Sequence, residues 1–87
     1  MATTNVAVTK AWVKLVADTV DAFCASSRFQ QEVEYAATAA DTAPTVDEGA
    51  ALVRGEAASR TSHPTGFVWA RISPSSNLSS AVVVLSV

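Results

Sequence analysis

The chain has 87 residues, 49% of them apolar, and a formal net charge of −2. That length predicts a single domain over residues 1–87, with a flexible leader at residues 1–4. The composition excludes a disordered chain, and the charge argues against a nucleic-acid footprint. With one cysteine (Cys24) and one histidine (His63), neither an intrachain disulfide nor a Cys/His zinc framework can form. A domain this small has a thin stability margin, and oligomerisation or docking on a larger surface is the remaining help.

In chain order, MATTNVAVTK lacks the basic and apolar regions of a signal peptide, and folding in a reducing cytoplasm is expected. Asn5 to Val16 holds two extended candidates. Val6 and Val8 alternate with Ala7 and Thr9; then Val13 and Leu15 oppose Trp12 and Lys14. Thr19 to Ala25 reads as a third strand, with Val20, Ala22 and Cys24 on one face and Cys24 as a small buried hydrophobe. Arg28 to Gln31 reads as a turn. In Glu32 to Ala40, Val33, Tyr35 and Ala37 alternate with Glu32, Glu34 and Ala36, which predicts a strand with a solvated Glu32/Glu34 face. Glu and Ala also favour helix, so this segment is the most ambiguous.

Asp41 to Glu48 is a loop broken by Pro44, Ala50 to Val53 a short strand, and Gly55-Glu56 a turn. Ala57 to Thr65 is small and polar and places His63 in a loop. Gly66 to Val87 closes the chain with two β-rich runs, GFVWARI and AVVVLSV, joined by SPSSNLSS. They predict a long-loop hairpin. In the last run Val83 and Leu85 share one face, Val82 and Val84 the other, and a strand apolar on both sides calls for cover on both. Six to eight short strands with turns roughly every ten residues predict an all-β fold, a small antiparallel β-sandwich or barrel.

No constellation for catalysis or metal binding stands out, and no cofactor is expected. A Cys24/His63 pair has no local support. Glu32/Glu34, Asp18/Asp21 and Asp47/Glu48 lack a glycine-rich ligand loop. The glycines form no phosphate-binding fingerprint, and Asn77-Leu78-Ser79 is a chance sequon. No run approaches the ~18 apolar residues of a membrane span. All eight acids lie between Asp18 and Glu56, while Lys10, Lys14, Arg60 and Arg71 lie outside that block. These charges are either solvated or matched between neighbouring subunits. Candidate contact residues are Trp69, Arg71 and Trp12, types enriched at interfaces, together with Val82 and Val84.

The order of the segments resembles small β-sandwich virion proteins of tailed bacteriophages. The similarity is carried by Trp12-Val13-Lys14-Leu15-Val16, by Pro44 with Gly49-Ala50-Ala51-Leu52, by Gly55-Glu56, by Gly66-Phe67-Val68-Trp69-Ala70-Arg71 and by Ala81 to Leu85. It covers most of the chain from Trp12 onward; Ala57 to Ser62 departs from it. The resemblance implies a structural, non-enzymatic role with no catalytic residues: most directly capsid decoration or cement, otherwise a fibre, spike or tail component. It implies a homo-oligomer whose partners are other virion proteins, such as the major capsid protein or tail and fibre proteins. No nucleic acid and no membrane are implied, and the location is the virion after synthesis in the host cytoplasm. From another class, a small carbohydrate-binding module would use Trp69 as its sugar platform.

Overall fold

The computed structural model describes residues 3–29, 32–44, 53–54, 57–61, 63–74 and 76–87. Among these residues eight strands form: β1 (Thr3–Val8), β2 (Val13–Val16), β3 (Cys24–Ser26), β4 (Val33–Thr38), β5 (Val53–Arg54), β6 (Ala58–Ser59), β7 (Phe67–Ile72) and β8 (Ala81–Ser86). Sheet 1 has the order β1-β8-β3-β6 and sheet 2 the order β2-β7-β4-β5. Every pairing is antiparallel. The fold is all-β, two sheets stacked as a small sandwich, as the alternation predicts. Ala50 to Leu52, Asp47, Glu48, Gly49 and Gly55-Glu56 lie outside the described residues.

The core lies between the sheets. Val8, Ala25, Ala58, Ala81, Val83 and Leu85 face it from sheet 1; Val16, Val33, Tyr35, Val68, Ala70 and Ile72 face it from sheet 2. Alternation along each strand puts these residues on one face, and burying each aliphatic side chain contributes about 1.5–3 kcal/mol.

Several expectations need correction. The terminal runs do not pair as a hairpin: β7 pairs with β2 and β4, and β8 with β1 and β3. Each run has a fully apolar inner face, and the intervening eight-residue loop (73–80) is long enough to cross the ~10 Å between stacked sheets. The two strands therefore meet face to face across the core. Thr3 and Thr4 pair with Ser86 and Leu85 at the start of β1.

The third strand is shorter than expected, Cys24–Ser26, and of opposite parity. Phe23 and Ala25 point inward while Cys24 is exposed. Phe23 carries far more apolar area than Cys24, so its burial sets which parity faces the core. Glu34 does not join a solvated face but is 6% exposed. His63 lies in a loop, as expected, and is buried there, with its backbone N–H donating to Ser59 O at 2.8 Å.

In β2 the register shifts between Lys14 and Val16, a bulge with Leu15 as the extra residue. The bulge lets Val13, Leu15 and Val16 all pack against the core while Lys14 stays outside. Gly66 has φ +93°, and a Cβ there would sit 2.6 Å from Thr38 O. Only glycine fits that approach between the start of β7 and the end of β4.

Tyr35 is fully buried, and its phenol oxygen has no hydrogen-bond partner among the described residues. Burial, with a smaller push from Cys24, raises its pKa from 10.0 to about 12. Below the unfolded value both states hold the proton. Between pH 10 and about 12 the unfolded chain releases it while the folded chain keeps it, so stability falls as pH rises through that window. The loss is on the order of 2–3 kcal/mol. Tyr35→Phe removes the slope and costs less than about 1 kcal/mol at neutral pH, because no hydrogen bond is lost. Urea midpoints of both proteins across the window check this. The absorbance of this single tyrosine, titrating near 10 in the folded protein, would contradict it.

Candidate functional site

The two outer faces of the sandwich are built differently. On sheet 2 the outward positions of β7 are Phe67, Trp69 and Arg71, set opposite Thr38, Ala36 and Glu34 of β4. These side chains are tied to one another. Arg71 Nε donates to Glu34 Oε1 at 3.0 Å, and its guanidinium lies 4.4 Å from the centroid of the Trp12 ring. The Trp69 indole N–H donates to Thr38 Oγ1 at 2.9 Å. Lys14 Nζ reaches Asp41 at 2.9 Å and lies 5.6 Å from the Phe67 ring centroid. Trp69 and Ala36 are buried although they lie outside the main core. The chain's own side chains thus close much of this face.

Both of these ion pairs among the described residues join a base outside the acidic block to an acid within it. Lys14 and Arg71 are therefore matched inside one chain. The pair at Lys14 is exposed and contributes ~1 kcal/mol at most.

Sheet 1 has no charged residue in any of its strands. Its outer face carries Val82 and Val84 on β8, flanked by Thr3 and Asn5 of β1 and by Cys24 and Ser26 of β3. Val82 is 47% and Val84 40% exposed. Val84 is paired on both sides, with Asn5 of β1 and Ser26 of β3, whereas Val82 is paired with Ala7 of β1 alone. The five candidate contact residues consequently do not form one patch. Trp12, Trp69 and Arg71 lie with sheet 2, largely engaged with their own chain, whereas Val82 and Val84 lie on sheet 1 and are open.

The strongest polar site is one that sequence reasoning missed. Arg60 follows β6 and points its partly buried guanidinium at four backbone carbonyls. It donates to Val20 O (2.8 Å), Ala17 O (3.0 Å), Gly66 O (3.0 Å) and His63 O (3.2 Å). The Phe23 ring packs on it at 5.3 Å. One side chain therefore joins the loop before β3 to the loop before β7. A base just outside the acidic block was the one available signal.

Cys24 presents an exposed thiol on the outer face of sheet 1, while the His63 ring is buried. Among the described residues no group of three or more His, Cys, Asp or Glu could hold a metal ion. No described helix is long and apolar enough to cross a membrane. No protein-family model, curated protein or solved structure matches the chain.

Proposed function

We propose that this chain is a non-enzymatic structural protein of a bacteriophage virion, a capsid decoration or cement protein that acts through subunit contacts. The observation that carries the reading is the open outer face of sheet 1, where Val82 and Val84 lie uncovered on a sheet without charge. A broad apolar and small-residue surface on a small β-sandwich suits work done by burial and shape. The likeness of Trp12 to Val16, Gly66 to Arg71 and Ala81 to Leu85 to small virion proteins supports the same reading. A sugar platform on Trp69 is disfavoured, because that ring is 8% exposed and its N–H is already bonded. A fibre or tail component remains the second reading.

Mass spectrometry of particles purified from the phage or prophage that encodes the chain tests the proposal. The expected result is the polypeptide at a fixed, high ratio to the major capsid protein. A low copy number matching tail or fibre proteins would move the assignment to those parts. Absence from particles would overturn it.

A further inference from the structure

We infer that the open edge of β1 accepts an extended segment of another polypeptide, added antiparallel and carrying acidic residues at its start. This edge is separate from the Val82/Val84 face, so the inference neither needs nor tests the virion reading.

Among the described strands four lie at sheet edges, and three of these are blunted. β6 is two residues long, and β5 is described over two residues, one of them Arg54. β2 is broken by the bulge at Leu15 and carries Lys14. Shortness, bulges and lysines are the devices that keep a sheet edge from taking up a further strand. β1 has none of them. It runs six residues, holds an unbroken register with β8, and contains no charge, glycine or proline. No described strand pairs with its other side, and Thr3, Thr4, Asn5 and Ala7 are exposed.

The chemistry of the edge sets the class of partner. Alternate residues of β1 direct their N–H and C=O groups away from β8, and a backbone in the same extended form matches such a row. Side-chain parity adds a preference. On the core-facing side Val8 is buried, Val6 half-buried and Thr4 exposed, so the cover over the core thins along this strand. An apolar residue set opposite Val6 extends that cover, which calls for alternation in the added segment.

Charge sets the rest. Residues 3–17 contain Lys10 and Lys14 and no acid. Lys14 is held by Asp41, whereas Lys10, exposed just past the end of β1, has no ion pair among the described residues. An antiparallel strand brings its first residues beside Lys10, so acids at that end meet an uncompensated cation. A second copy supplies no such strand. Its own β1 brings no acid, since the first in the chain is Asp18, and its β3 and β4 are enclosed by neighbours on both sides.

Fluorescence anisotropy and amide exchange of the purified full chain test the inference. The probe is an acetylated peptide of about eight residues, two glutamates followed by alternating valine and threonine. It should bind saturably with a dissociation constant of about 100 micromolar. Replacing both glutamates by lysine should weaken binding at least about tenfold. Lys10→Glu, an exposed change beyond the strand, should invert that preference, which a merely structural role for Lys10 would not do. On binding, exchange should slow at alternate amides of Thr3–Val8, those not bonded to β8, and stay unchanged in β2 and β6. No saturable binding at about one millimolar, equal binding of the two peptides, or protection that bypasses β1 would overturn the inference. Protection of the β1 amides that rises with protein concentration alone would assign the edge to a second copy and equally overturn it.

Discussion

Arg60→Ala is expected to lower unfolding stability by about 3 kcal/mol, which in a domain of this size lowers Tm by on the order of 15 °C. The guanidinium serves carbonyls of Ala17, Val20, His63 and Gly66, which belong to two loops separated by about forty residues of sequence. Removing it leaves those oxygens oriented toward a vacated, partly buried position and uncovers one side of Phe23. Hydrogen bonds from a charged donor are each worth about 1.5–3 kcal/mol, but water can reach some of these carbonyls, so the sum is well below four full bonds. Arg60→Lys should recover less than half the loss. An ammonium has three donors about one point and cannot present a planar fork to four acceptors. Urea denaturation of the three proteins measures both numbers. A loss under about 0.5 kcal/mol for the alanine variant would mean the loops hold without the clasp.

Arg71→Ala is expected to cost about 3–4 kcal/mol, the range for breaking a buried pair from one side. Its side chain is 12% exposed and that of Glu34 8% exposed, so the carboxylate left behind has little access to water. The loss also strips the guanidinium from the Trp12 ring. Desolvation makes the intact pair a poor source of net stability, and neutralising both members together should be far milder. The double variant Glu34→Gln/Arg71→Met should therefore recover most of what Arg71→Ala loses. Chemical denaturation separates the cases. If the double variant is as unstable as the single one, the cost is lost packing over Trp12 rather than an orphaned charge.

How far the fold was legible follows from what alternation can report. In β4, β7 and β8, side chains alternate over six residues, and the segments and the inner faces of β7 and β8 follow from that pattern. Alternation gives a face but not a partner. β7 and β8 are neighbours in sequence and read as a hairpin, yet they belong to different sheets. β6 has two residues and no measurable period, so it was invisible. Cys24 was read as buried because Val20, Ala22 and Cys24 share a parity, but Phe23 on the opposite parity claims the interior.

The candidate site was legible only in part. Val82 and Val84 were marked by an apolar outer parity, and the structure leaves them open. Trp69 and Arg71 were marked by residue type, which cannot say that Thr38 and Glu34, more than thirty residues earlier, already engage them. Glu34 and Arg71 both have outward parity, so the pair would have followed had the β4–β7 register been known. Arg60 binds main-chain oxygens, and no residue type at the acceptor positions signals such a site.

β8 divides its two faces, with Val83 in the core and Val82 on the face proposed for subunit contacts. Thermal unfolding of Val82→Asp beside Val83→Asp, both dilute enough that association adds nothing, tests this division. Val83 is fully buried, so its aspartate variant places a charge between the sheets and should show no cooperative transition. Val82 is 47% exposed, so its aspartate variant should melt within a few degrees of the wild type. Two variants that both unfold, or a Val83→Asp protein that melts like the wild type, would contradict the division.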